Sequence, residues 1–178
     1  MHPEALDELA AKAVDYGATV AKVIPVEKIA IDERTRIKCQ FGCPNYRRGL
    51  MCPPYVPAPE VFSKVLNRYN WAILFEFEVP GEDVKRVDEV QKQVQALIER
   101  MELEAMSLGY NFALGLKAGG CRICDRCVAW LGEENLLCRH PDRARPAMEA
   151  LGIDVIQTLR NTGYDTIPRR VFALLLVD

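Results

Sequence analysis

The chain has 178 residues, 49 % hydrophobic and 27 % charged, with a formal net charge of −2. A chain of this size and composition can build its own core, so a metal site is expected to serve chemistry or order a loop rather than replace a core. The mildly acidic balance and the lack of a basic tail argue against nonspecific nucleic-acid binding, and no stretch reaches the roughly 18 to 20 apolar residues of a membrane-spanning helix.

In chain order, Ala5, Leu6, Leu9, Ala10, Ala13 and Val14 recur at helical spacing from about Pro3 to Tyr16, and Gly17 fits the stop. The segment ATVAKVIPVEKIAID predicts one or two short strands, broken at Pro25. The Cys-, Pro- and Gly-rich run RTRIKCQFGCPNYRRGLMCPPYVPAP has no sustained period and reads as an ordered loop. A short helix is expected over Ala58 to Tyr69, with Val61, Phe62, Val65 and Leu66 on one face. WAILFEFEV reads as a strand, ended by Pro80-Gly81.

The longest element is a helix from about Glu82 to Leu108, its face marked by Val84, Val87, Val90, Val94, Leu97, Ile98, Met101, Ala105 and Leu108. NFALGLKAG is a strand running into a glycine pair. Short helices are predicted over Pro146 to Leu151 and Asp154 to Asn161, with Asp154 as N-cap, and VFALLLVD closes as a buried strand. The order suggests an α+β fold: a single domain over 1–178, with one mixed or antiparallel sheet, helices on one face, and two cysteine-rich metal-binding loops outside the regular elements.

Seven cysteines carry the chemistry. The N-terminus MHPEALDELA shows neither the basic nor the apolar region of an export signal, so the expected location is cytoplasmic, where a disulfide framework is a poor explanation. Cys121, Cys124 and Cys127 form C-x-x-C-x-x-C, with Cys138 farther on. This triplet matches the first three ligands of bacterial ferredoxin clusters, whereas structural zinc prefers two separate Cys pairs. Gly119 and Gly120 let the backbone approach closely. Arg122, Arg126, Arg139, Arg143 and Arg145 offer charge to an anionic cluster or form a solvated basic face.

Cys39, Cys43 and Cys52 form a looser group with Cys-Pro steps at Pro44 and Pro53. Three thiolates leave one iron of a cubane without a cysteine. Water, a substrate, a partner's side chain, or a His, Asp or Glu of this chain are open as the fourth ligand. Tyr46, Arg47 and Arg48 between them suit an anionic substrate or cluster charge. His140 is a ligand, a hydrogen-bond donor or a solvated residue; His2 lies in the terminus, and Met148 reads as core. No G-x-G-x-x-G after a strand, P-loop or G-x-S-x-G elbow occurs.

The Cys-Pro-Pro step, GGCRICDRC with Cys138-Arg139, and RPAMEALGIDV from Arg145 to Val155 resemble a prokaryotic family of predicted metal-binding proteins of unknown function. The resemblance runs from about residue 20 to the C-terminus. It implies metal binding and anaerobic-leaning bacterial and archaeal hosts, without an established reaction. RPAMEALGIDV itself reads as a helix with Pro146 at its first turn and then Gly152, and its proximity to Cys138 suggests that it buttresses the cluster loop.

The expected function is therefore an iron–sulfur protein with one or two 4Fe-4S clusters in electron transfer. The alternatives are a redox or Lewis-acid enzyme using an open iron at the three-cysteine site, and a structural zinc protein. Expected partners are a redox protein or a small anionic substrate, without nucleic acid or membrane; a homo-oligomer is allowed.

Overall fold

A computed structural model describes residues 3–81, 84–132, 136–165 and 170–178. His2 and Glu82 lie outside the described residues. Among the described residues, four strands form one antiparallel sheet: β1 (Val20–Pro25), β2 (Trp71–Glu78), β3 (Leu114–Lys117) and β4 (Arg170–Val177), in the order β1-β2-β4-β3. The apolar C-terminal run becomes a central strand because both faces must be covered, and seven of its eight residues are buried.

Side chains alternate across β2 and β4, and each face builds its own core. Ile73, Phe75, Phe77, Ala173 and Leu175 lie under α1 (Pro3–Asp15) and α4 (Val84–Ser107). Ala72, Leu74, Phe172, Leu174 and Leu176 lie under α3 (Pro59–Leu66), α6 (Val155–Asn161) and the 3-10 turn Glu149–Leu151. Helices therefore cover both faces, not one. The short helices Pro59–Leu66 and Val155–Asn161 each bury only a few side chains, and their partner face was invisible in a linear reading.

The long helix buries Val90, Val94, Leu97, Ile98, Met101 and Ala105, while Leu108 is exposed. Phe62 and Leu66 of α3 are buried with Pro59, but Val61 and Val65 face solvent. The expected second strand after Pro25 reduces to a 3-10 turn at Val26–Lys28 and one bridge, Ile31 to Ile153. Asp154 caps α6 as predicted, accepting from the Gln157 N–H at 2.9 Å.

Two expectations for the cysteine segments are corrected. Cys39 sits in a helix, α2 (Arg34–Gly42), and Cys127 is the N-cap of α5 (Val128–Leu131). Helix α2 has no buried residue, so it leaves no apolar period in the sequence. It is pinned instead by Arg36, whose Nη1 donates to the carbonyls of Pro57 at 2.8 Å and Ala150 at 3.0 Å. Pro146–Leu151 is not a helix: it runs extended through Ala147 before its 3-10 turn.

A buried ion pair ties the chain between Cys138 and Ala147 to the sheet. Arg145 Nε donates to both carboxylate oxygens of Glu102 on α4, at 2.6 and 2.8 Å, and the same carboxylate accepts the Gly115 N–H of β3 at 2.6 Å. Gly115 is required for this approach, since a Cβ there would stand 2.1 Å from Ile98 Cγ2. Arg145→Ala strands the Glu102 charge in the interior, so chemical denaturation is expected to show a loss of about 3–5 kcal/mol.

Candidate metal centre

β3 is an edge strand, and its free edge recruits the metal-site segments. Ala147 forms a parallel bridge to Lys117. The Lys117 N–H donates to the Pro146 carbonyl at 3.3 Å, and the Met148 N–H donates back to Lys117 at 2.8 Å. On its other side, the Ala147 N–H donates to the Met51 carbonyl at 3.3 Å. Three segments distant in sequence thus lie side by side at the end of β3: the approach to Cys52, the strand leading to Cys121, and the run leading to Glu149. Gly119 makes the turn out of β3 at φ +72°, and a Cβ there would stand 2.7 Å from Gln91 Nε2. Its role is packing on α4 as well as chain reversal.

The cysteines divide between two adjoining cavities. Cys121, Cys124, Cys127 and Cys138 all border one of about 110 Å3. A single water needs only roughly 10–15 Å3 measured this way, so this space exceeds what one water requires. Cys39, Cys43 and Cys52 all border the other, of about 800 Å3. Cys52 is buried and borders both. All seven thiols are free. Among the described residues, no three Cys, His, Asp or Glu side chains close together around a single ion.

Backbone donors already face the sulfurs of the smaller cavity. The Ile123 N–H donates to the Cys121 thiol, and the His140 N–H donates to Cys138 Sγ at 3.4 Å. His140 borders that cavity too, so the structure gives its backbone the hydrogen-bonding role.

Two ionisable residues absent from the sequence reading act on the thiols. Lys117 is fully buried, and its Nζ donates to the Gly120 carbonyl at 3.1 Å. Burial lowers its pKa to about 8, helped by Arg122 and opposed by the charges of Cys121, Cys52 and Glu149. Its ammonium therefore acts on both cysteine groups. Glu149 borders the larger cavity and accepts N–H bonds from Gly119 and from its own backbone, while its buried Oε2 has no protein partner. Burial raises its pKa.

Cys52, Cys39 and Cys121 resist ionisation in the metal-free protein. Burial pushes Cys52 up to about 12, reinforced by Cys43, Cys39, Glu149 and Cys121. Burial also raises Cys39 and Cys121. Such a set of crowded acids is held in the anionic form only by a cation. Soft sulfur donors, an unpaired carboxylate oxygen and N–H donors aimed at sulfur are a donor set that fits an iron–sulfur group.

The arginines are only partly at the site. Arg143 and Arg145 are committed to Glu99 and Glu102, and Arg122 pairs with Asp88. Arg122 and Arg139 border the smaller cavity. Arg48 does too, stacked over Trp130 at 4.8 Å, although it belongs to the first cysteine segment. Tyr46 borders the larger cavity, and Arg47 borders neither. Met148 is core. The signal for Lys117 was a lysine on an otherwise apolar strand just before Gly119-Gly120; for Glu149 it was an acid inside an apolar run.

A family model for predicted metal-binding protein (DUF2284) matches residues 22–171. The chain belongs to that family. Metal binding is thus its family character, and the two thiol-lined cavities fall within the matched span. No curated protein and no solved structure matches the chain. Among the described residues, no helix is long and apolar enough to cross a membrane.

Because Cys52 is raised from 9.0 to about 12, it carries about a thousandfold less thiolate at pH 8 than an unperturbed thiol. In metal-free protein treated with iodoacetamide at pH 8, peptide mapping should find Cys52 the slowest of the seven to react, by at least about tenfold.

Proposed function

We propose that this protein holds two 4Fe-4S clusters and passes electrons between them and a redox partner protein, in a reducing, cytoplasmic compartment. The observation that carries this reading is the pair of adjoining cavities, one bordered by Cys121, Cys124, Cys127 and Cys138, the other by Cys39 and Cys43, with Cys52 bordering both. When bound, such clusters supply one-electron chemistry at potentials set by net charge, hydrogen bonds to sulfur and exposure. The chain's own part is to set those three quantities. The Ile123 and His140 N–H groups donate to sulfur, and the Lys117 ammonium lies near both groups.

The smaller cavity favours a cluster over zinc. Zinc draws its sulfurs to about 2.3 Å and leaves no space between them, whereas these four thiols border a space of about 110 Å3.

A second reading, a redox or Lewis-acid enzyme at the three-cysteine site, is favoured by the larger cavity. Its volume of about 800 Å3 falls within the roughly 300–1,000 Å3 of small-molecule sites. Ile37, Phe41 and Ile156 line it and are exposed. A small substrate with an anionic head and an apolar body fits that lining.

Protein purified without oxygen should be brown and contain iron and acid-labile sulfide. A colourless preparation with stoichiometric zinc and no sulfide overturns the proposal. Cys124→Ala should remove the cluster of the smaller cavity; full retention of iron and sulfide would show that Cys124 is not a ligand.

Lys117→Met tests the shared electrostatics. Removing a buried positive charge disfavours the reduced, more negative form. Potentiometric titration should therefore find both potentials lowered. A shift at one centre alone would place the lysine's influence there only.

A further inference from the structure

We infer that Glu149 supplies the fourth protein ligand, a carboxylate oxygen, to the centre held by Cys39, Cys43 and Cys52. The inference rests on the iron–sulfur reading above and completes its weaker site.

Glu149 begins the 3-10 turn Glu149–Leu151, and the turn is fixed from two sides. The preceding residue, Met148, is hydrogen-bonded to β3 through Lys117 at 2.8 Å. The following residue, Ala150, accepts from Arg36 of α2 at 3.0 Å. The same helix carries Cys39, so one guanidinium holds the carboxylate's turn against the helix that bears the first thiol. Glu149 and the three cysteines border the same cavity. Its charge acts on both Cys39 and Cys52.

The competing donors of that cavity are otherwise engaged or of the wrong kind. Asp154 is the other carboxylate bordering it, and its Oδ1 caps α6. Among the described residues, no histidine borders it. Glu149 alone combines N–H bonds that aim its carboxylate with a buried oxygen lacking any protein partner. An unpaired buried acceptor carries a desolvation penalty that only a bound donor or cation removes. Placing a carboxylate beside three thiols otherwise adds repulsion to a site already crowded with acids. A cation among the four groups turns that repulsion into coordination.

The test follows the fate of one iron. Ferricyanide takes one electron from [4Fe–4S]2+, and release of Fe2+ then leaves [3Fe–4S]+, which is read by its paramagnetic resonance. Full-length wild type, Glu149→Ala and Glu149→Cys are reconstituted anaerobically and titrated. Without its oxygen ligand, Glu149→Ala should form the three-iron signal faster, on the order of tenfold. Glu149→Cys completes an all-thiolate cubane and should suppress the signal.

Wild-type kinetics in Glu149→Ala, or a full three-iron signal in Glu149→Cys, overturns the assignment. The signal of the other cluster and circular dichroism report whether each variant is folded. If either variant does not fold, Mössbauer spectra of the wild type decide: one iron with oxygen-type parameters supports the ligand, and uniformly thiolate-bound iron overturns it. Cys39→Ala separates this inference from the reading beneath it, because Cys39 borders the larger cavity alone. If that variant keeps all iron and sulfide, no cluster is held there and both fall. If it loses iron while Glu149→Ala behaves as wild type, only the ligand assignment falls.

Discussion

The arrangement of the site depends on one open strand edge. β3 has a sheet neighbour on one side only, and its outer backbone groups would be unsatisfied without a partner. The run around Ala147 fills that edge and passes the next hydrogen bond on to Met51. This short ladder brings Cys52, Cys121 and Glu149 to one place, although more than sixty residues separate the first two in sequence. The ion pair of Arg145 with Glu102 holds the same run from behind and fastens it to both α4 and β3.

Charge is the second constraint. Seven thiols and a carboxylate gather around two cavities, and the buried cation acting on both groups is Lys117. Without metal, burial favours the protonated form of Cys39, Cys121 and Cys52, the last raised to about 12. Coordination of a metal would favour the thiolate form instead. The arginines that look in sequence like a counter-charge are largely spent on carboxylates of α4. Lys117 is buried, and a charge with less water around it acts more strongly on its neighbours than an exposed one.

Neither of the two cores contains a cysteine, and the buried thiol, Cys52, lies between the cavities. Loss of a metal is therefore expected to loosen the edge of the molecule and leave the sheet standing. This separates the protein from small domains that fold only around their metal, and it suits a site whose task is chemistry.

The sequence by itself determined the strands at Trp71–Glu78 and Arg170–Val177, the long helix and the capped helix after Asp154, because hydrophobic period and capping are local properties. It also placed Cys121, Cys124, Cys127 and Cys138 together and Cys39 and Cys43 together, since cysteine spacing is local too, but not that Cys52 borders both cavities. Tertiary structure alone decided three things. Helices lie on both faces, because a strand that is apolar on both sides does not say which helix covers which. Helix α2 forms with no buried side chain, because Arg36 binds carbonyls that belong to distant segments. And Lys117 and Glu149 meet the thiols because Ala147 pairs with an edge strand, a contact between segments about thirty residues apart that leaves no period in the sequence.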